Sequence, residues 1–377
     1  MGISLHRYTN TTEESCGGRM RRIRTHELKP GMVVASDVYN RQDQLVIPAE
    51  TVLTDKIISK LSAYNIYFVK VKDGRPAPAK PVVMESSYAE KVRKSEAFVE
   101  FHKEFDDSVN LMQSVLSDFA KEEVTVDAVH QVVDEAIQLL DEAHGNVNVF
   151  DMIHNMRQNS DLTFAHSVNV ALICHVIARW IGMTQEQITL AFTCGILHDI
   201  GKLRMPSELI NKTEKLTKEE FDKLKTHPIE GYNMLKQLPI DKHIKNAALM
   251  HHERADGSGY PIGMKGDEID KFARIVAIAD VYEAATAPRV YRKGLSPFEV
   301  FAMFEKEGLQ KYDTQIILTF MKKVADNYRL NRVRLSNGKE GEIVFINKQA
   351  LARPTVKCGE EFVDLSKEKD LTITEII

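Results

Sequence analysis

Two aspartates lie in segments of this chain that are otherwise apolar and helical in character. Asp199 follows His198 within residues 195–201 (GILHDIG), and Asp280 lies within residues 275–281 (IVAIADV). A buried carboxylate is costly unless an opposite charge or hydrogen bonds compensate for its lost hydration. A bound metal cation compensates directly. The two aspartates therefore predict a helical domain built around a metal site.

Histidines are concentrated in the same part of the chain, since eight of the 13 fall between residues 154 and 252. His227 precedes Pro228 at a predicted helix break, where backbone geometry can direct a side chain into a cleft. Taken singly, a buried histidine is more often structural, and His154, His175 and His243 are interpreted as structural or surface residues. The candidate metal ligands are His166, His198, Asp199, His227, His251, His252 and Asp280.

The types of ligand atom limit which metals are expected and which reaction they would support. Imidazoles and carboxylates without thiolates suit first-row metals such as iron or manganese better than structural zinc. An aspartate can bridge two such ions, and paired ions suit in-line displacement at phosphorus. The four cysteines are scattered without CxxC spacing, so neither a disulfide framework nor a thiolate zinc site is expected.

Composition excludes several other classes of protein. The net charge of -4 argues against broad binding of nucleic-acid polymers. No apolar run reaches the roughly 18 residues that a membrane span needs, and the N-terminus lacks a signal-peptide core. A cytoplasmic protein without a membrane span is therefore expected.

The 377 residues allow two or three domains, and the expected fold is multidomain and mainly α. Strand-like residues 32–35, 45–47 and 67–71 and a helix capped by Thr54 predict a small N-terminal α/β domain. The expected divisions are a disordered 1–19, the α/β domain 20–73, a linker and long amphipathic helix 74–123, a helical domain 124–330 and a C-terminal β-hairpin region 331–377.

Local signals support these divisions. Apolar residues between Phe98 and Phe119 recur every three or four positions, which predicts a long amphipathic helix that packs on its own domain or pairs two subunits. Thr184 and Thr217 each begin a capping box, Asp241 is a plausible helix cap, and Gly201 is placed as a helix stop. Residues 333–335 and 343–346 flank a turn and predict the hairpin.

A series of motifs then resembles one family closely. The chain reads HDIGK at 198–202, THPIEG at 226–231, HHERADGSGYP at 251–261 and ADVYEA at 279–284. Over about residues 124–330 it resembles the HD-GYP family, and the long run at 251–261 makes the resemblance specific.

The resemblance implies an HD-superfamily helical bundle and a metal-dependent phosphodiesterase. The substrate would be cyclic di-GMP, cleaved to linear pGpG by a hydroxide that two metal ions activate, and further cleavage to GMP stays open. All seven candidate ligands match family positions, with Asp199 as the bridging carboxylate. Two alternatives stay open: the same fold acting on another cyclic dinucleotide such as cyclic GMP-AMP, or a non-catalytic cyclic di-GMP receptor.

The resemblance also assigns residues to the substrate. Lys202 would reach a phosphate oxygen or assist the leaving group, although a lysine at a helix C-terminus is a structural alternative. Tyr260 lies in the Gly257–Pro261 loop. The resemblance implies that this loop influences substrate choice and contacts a protein partner, and a plain tight turn is the structural alternative. Arg289, followed by Arg292, would bind phosphate or guanine. Residues 287–291 (APRVY) depart from the family's Asp-Arg-Pro-Tyr, so the loop that bears Arg289 is expected to be oriented differently.

Leu162 occupies the position where some family members carry a glutamate that helps to hold a third metal ion. A leucine side chain cannot ligate a metal. We therefore expect about two tightly bound ions per chain in elemental analysis of the purified protein, the number that a shared-carboxylate site holds. Three tightly bound ions per chain would contradict this expectation.

Overall fold

A computed structural model of the chain describes residues 20–39, 45–54, 57–58, 61, 66–72, 92–118, 125–142, 150, 153, 162–212, 214–288 and 294–377. The chain divides into two compact units, residues 1–85 and 86–377. The segment expected to be disordered, residues 1–19, and the proline-rich linker lie outside the described residues. The domain boundaries expected at residues 73, 123 and 330 stay predictions.

The first unit contains two short antiparallel strand pairs. Its strands are β1 (Met20–Arg24), β2 (Val38–Tyr39), β3 (Leu45–Ile47) and β4 (Phe68–Lys72). β1 pairs with β4 and β2 pairs with β3 around a small apolar core. The strands predicted at 45–47 and 67–71 are confirmed to within one residue. Residues 32–35 instead form two isolated bridges, and β1 (MRRIR) was missed because its charged residues mask any alternation.

The second unit is a helical bundle followed by a sheet. Its helices are α1 (Glu96–Asp118), α2 (Val126–Glu142), α3 (Leu162–Trp180), α4 (Gln185–Leu197), α5 (Ser207–Ile210), α6 (Lys218–Leu224), α7 (His227–Leu235), α8 (Lys242–Met250), α9 (Lys271–Thr286), α10 (Pro297–Glu307) and α11 (Thr314–Asn327). α3 packs against α4 and α9, and α8 packs against α4, α7 and α9. These contacts build the helical core that surrounds the buried polar residues.

The predicted long helix α1 packs within its own unit. Its apolar residues Phe98, Phe101, Phe105, Val109 and Met112 are buried, and the helix contacts α2 and α3. This packing was the first of the two alternatives that the apolar spacing allowed.

Helix starts follow the predicted caps, while one helix end does not. Thr184 and Thr217 both form complete capping boxes, and the side chain of Asp241 caps α8. The prediction that Gly201 stops a helix is wrong, because α4 ends at Leu197 and Gly201 lies inside a 3₁₀ turn, Ile200–Arg204. A Cβ atom there would lie 2.0 Å from the carbonyl oxygen of His227. Only glycine lets this turn approach α7 so closely.

The C-terminal region is a five-stranded antiparallel sheet in the order β8-β7-β6-β5-β9. Its strands are β5 (Arg332–Leu335), β6 (Glu340–Phe345), β7 (Thr355–Cys358), β8 (Glu361–Asp364) and β9 (Ile373–Ile376). The predicted hairpin is confirmed as the β5–β6 pair. Buried residues of the sheet, among them Val333 and Ile343, belong to the same apolar core as the helices.

Of the helices within the described ranges, none has both the length and the apolar content needed to cross a lipid bilayer.

Ser296 connects the helices to the sheet, because it caps α10 and its hydroxyl donates to the carbonyl oxygen of Ile373. Ser296→Ala should lower the free energy of unfolding by about 3 kcal/mol, since a cap and a buried hydrogen bond are lost together. Thr217→Ala, which removes an exposed capping box alone, should cost about 1 kcal/mol. Denaturant unfolding followed by circular dichroism measures both, and equal losses would contradict the structural connection.

Candidate metal centre

The fold brings the seven candidate ligands from five separate segments to one place. His198 and Asp199 follow α4, His227 is the first residue of α7, and His251 and His252 directly follow α8. His166 lies within α3 and Asp280 within α9. Six of the seven are buried, and the side chain of His252 is 17% exposed. The convergence depends on the packing of α3, α4, α7, α8 and α9.

Asp199 belongs to two groups of possible metal-binding atoms. Within each group the donor atoms lie no more than 4.8 Å apart. The first group is Asp199, His227, His251 and His252, and the second is His166, His198 and Asp199. Asp280 lies between them, with one oxygen 3.2 Å from Nε2 of His166 and the other 3.8 Å from Nδ1 of His252. Because the Asp199 carboxylate belongs to both groups, it can bridge two cations.

Backbone carbonyl groups orient three of the imidazoles. Nδ1 of His198 lies 2.7 Å from the oxygen of Gly195, and Nδ1 of His227 lies 2.7 Å from that of Leu224. Nδ1 of His251 lies 3.0 Å from the oxygen of Ala247. Because a carbonyl oxygen can only accept, each Nδ1 must donate its proton. Each neutral ring therefore presents an unprotonated Nε2 to the centre, as a metal-binding histidine does.

These unprotonated nitrogens approach one another closely. Nε2 of His227 lies 3.2 Å from Nε2 of His251 and 3.2 Å from an oxygen of Asp199. Among the described residues, Nε2 of His198 and Oδ1 of Asp199 are buried and have no hydrogen-bond partner. Facing lone pairs and unsatisfied buried acceptors are unfavourable unless a cation lies between them. The donor set therefore fits divalent metal ions.

Glu283 orients His166, and the sequence-based prediction missed this residue. Its carboxylate lies 2.5 Å from Nδ1 of His166 and accepts a hydrogen bond from Asn169. Burial alone would lower the pKa of His166, but the charges of Glu283 and Asp280 outweigh it and raise the pKa to about 10. The one available sequence signal was that Glu283 follows Asp280 by three residues in a buried helix.

The electrostatics keep three of the candidate ligands, Asp199, Asp280 and His252, in the form that binds metal. Burial raises the pKa of Asp199, but Lys202 and His198 hold it well below its usual value. The pKa of Asp280 is also well below normal, because His166 outweighs the effect of burial. Burial lowers the pKa of His252 to about 3. Ionised carboxylates and neutral imidazoles are the forms in which these side chains ligate a metal.

Lys202 and Tyr260 border the cluster. The ammonium group of Lys202 contacts Oδ2 of Asp199, and its side chain is 25% exposed. The ring of Tyr260 lies 4.6 Å from that of His252. Arg289 and Arg292, the other predicted substrate-binding residues, lie outside the described residues.

The loop that carries Tyr260 is packed against its own chain. A Cβ atom at Gly259 would lie 2.4 Å from the nitrogen of Arg254, so this glycine permits close backbone contact within the loop. The buried carboxylate of Glu253 accepts hydrogen bonds from the backbone of residues 262–264. These contacts fix the loop beside His252.

A family model described as an HD domain matches residues 127–316, half of the chain. The chain therefore belongs to the HD domain family, and the resemblance to HD-GYP proteins is confirmed. A cyclic di-GMP phosphodiesterase of Pseudomonas aeruginosa is 33% identical over 228 residues, 59% of this chain and 55% of the relative. A 3'3'-cGAMP-specific phosphodiesterase of Vibrio cholerae is 35% identical over 173 residues, 46% of this chain and 40% of the relative.

One solved structure agrees on the fold. An HDG"Y"P protein from Bdellovibrio bacteriovorus aligns with a TM-score of 0.50 at 16% identity, covering 81% of this chain and 99% of that one. The chain spans about half the length of the curated relatives it matches.

Glu283→Gln should weaken metal binding about 10- to 100-fold, because the carboxylate that orients His166 loses its charge. Competition with a chelating dye measures the affinity. Glu219→Gln, at an exposed position of α6, is the control and should leave the affinity unchanged. An unchanged affinity in Glu283→Gln would show that this carboxylate does not support the centre.

Proposed function

We propose that this chain is a metal-dependent phosphodiesterase that opens cyclic di-GMP to linear pGpG, with cleavage of pGpG to GMP as an open second step. The proposal rests above all on the position of Asp199, which is shared by two groups of inward-facing imidazoles. The relatives from Pseudomonas aeruginosa and Vibrio cholerae, whose names specify cyclic dinucleotide phosphodiesterases, support the same reaction class.

Two divalent ions, iron or manganese, are the proposed cofactors. His166, His198 and Asp280 would hold one, His227, His251 and His252 the other, and Asp199 both. When bound, such ions neutralise charge on phosphoryl oxygens and activate water for attack at phosphorus. Nitrogen and oxygen donors without thiolates favour these metals. The carbonyl groups that accept the Nδ1 protons keep the Nε2 atoms of His198, His227 and His251 oriented toward the centre before any substrate binds.

Lys202 is proposed to act on the substrate's phosphate. Its ammonium group contacts Asp199 at the edge of the cluster and is partly exposed, so it can meet an incoming anion. A compact ammonium charge suits a phosphate oxygen or a leaving alkoxide. Tyr260, beside His252, would border the bound nucleotide. Arg289 and Arg292 are proposed to bind guanine or phosphate through planar, paired hydrogen bonds.

Cyclic GMP-AMP is the second candidate substrate, favoured by the name and 35% identity of the Vibrio cholerae relative. A non-catalytic cyclic di-GMP receptor is a further alternative, and it would bind the dinucleotide without forming pGpG. The full set of inward-facing donors supports catalysis over this alternative. A protein partner at the Gly257–Pro261 loop and a homodimer through α1 also remain proposals.

Asp199→Ala should abolish turnover and lower the metal content, because the two ions would lose their shared ligand. The assay is an anaerobic incubation of iron- or manganese-supplied protein with cyclic di-GMP and cyclic GMP-AMP, with products separated by chromatography. Asp222→Ala, which removes an exposed carboxylate on α6, is the control and should retain full turnover.

Near wild-type turnover in Asp199→Ala would show that the centre is misassigned. Binding of cyclic di-GMP by the metal-loaded parent without pGpG formation would favour the receptor. Faster cleavage of cyclic GMP-AMP than of cyclic di-GMP would change the assigned substrate.

A further inference from the structure

A pocket of about 280 Å³ opens beside the candidate metal centre. Asp199 and Lys202 form part of its wall, so a ligand in the pocket would touch the residues proposed to act on phosphate. The rest of the wall comes from α1, α3, α4 and the segment 200–211.

The lining combines apolar surface with a few hydrogen-bonding side chains. Phe164, Ile196 and Ile210 contribute apolar surface, and Ser167, Ser207 and Asn211 contribute a hydroxyl or amide group. Small-molecule sites commonly have this composition, with an apolar wall that provides burial and a few polar groups that orient the ligand. A purine base has a matching surface, with two apolar faces and hydrogen-bonding edges.

The volume of the pocket indicates the size of ligand that it matches. Pockets for drug-sized ligands span about 300 to 1,000 Å³, and this one lies just below that range. One nucleoside half of a cyclic dinucleotide is compatible with that space.

We propose that this pocket binds one nucleoside half of the cyclic dinucleotide through its base, while the phosphodiester lies over Asp199 and Lys202. The inference rests on the proposed function and deepens it, because it makes residues of segment 200–211 determinants of substrate binding. The second nucleoside lies outside this pocket. A mononucleotide carrying a purine base is therefore a sufficient ligand.

Two adjacent exposed residues on α5 allow a matched test. Ser207 lines the pocket and Glu208 does not. Ser207→Trp places an indole at the pocket wall, whereas Glu208→Trp adds the same side chain beside it. The measurement is calorimetric titration of the metal-loaded full chain with GMP and with AMP, which lack the cyclic phosphodiester and are therefore not opened during the titration.

Ser207→Trp should weaken binding of both nucleotides about tenfold or more, since the displaced base loses most of its buried surface. Glu208→Trp should bind as the parent does. Ile210→Trp, at a second lining position, should reproduce the loss while thermal unfolding shows a folded chain.

Equal affinities in Ser207→Trp and Glu208→Trp would overturn the pocket assignment, as would a parent chain that binds neither nucleotide. Failure of the proposed function has a different signature. In that case the parent binds the nucleotides and Ser207→Trp weakens their binding, yet the metal-loaded parent cleaves no cyclic dinucleotide.

Discussion

The buried negative charge of Asp199 is the constraint on which the arrangement of the surrounding helices depends. It is buried among imidazoles, three of which donate Nδ1 to a backbone carbonyl group and turn Nε2 inward, and the ammonium group of Lys202 contacts it. Such an arrangement is unstable in an apolar interior without further positive charge. The helices around it therefore form a rigid support for a cluster of buried donors that could hold cations.

Rigidity comes from the backbone as much as from side chains. The carbonyl groups of Gly195, Leu224 and Ala247 hold three imidazole rings by their Nδ1 atoms. Gly201 lets the turn after Asp199 lie against α7, which brings His227 within 3.2 Å of that carboxylate. A bulkier residue at Gly201 would collide with the backbone carbonyl oxygen of His227 and separate these two donors. The neighbouring pocket shares Asp199 with the centre, so binding and chemistry would depend on the same packing.

Much of this could be predicted from residue patterns. Acidic residues within apolar helical runs, together with the motifs at 198–202 and 251–261, identified the seven donors that the fold brings together. Caps at Thr184, Thr217 and Asp241 were predictable because capping is a local interaction. Glu283 was missed, since nothing in a helix sequence states which imidazole a carboxylate will meet. The strands β1, β7 and β8 were missed because their alternation is weak.

The sequence alone determined which side chains could bind a metal, and that the buried aspartates would need a compensating positive charge. Both follow from the residue types and from the apolar residues on either side of them. Tertiary structure decided which nitrogen of each imidazole faces inward, that Asp199 is common to both groups, and where the adjacent pocket lies. Those features depend on distances of a few ångströms between segments that are far apart in sequence. Local preferences carry no information about such distances, and only the packing of the helices sets them.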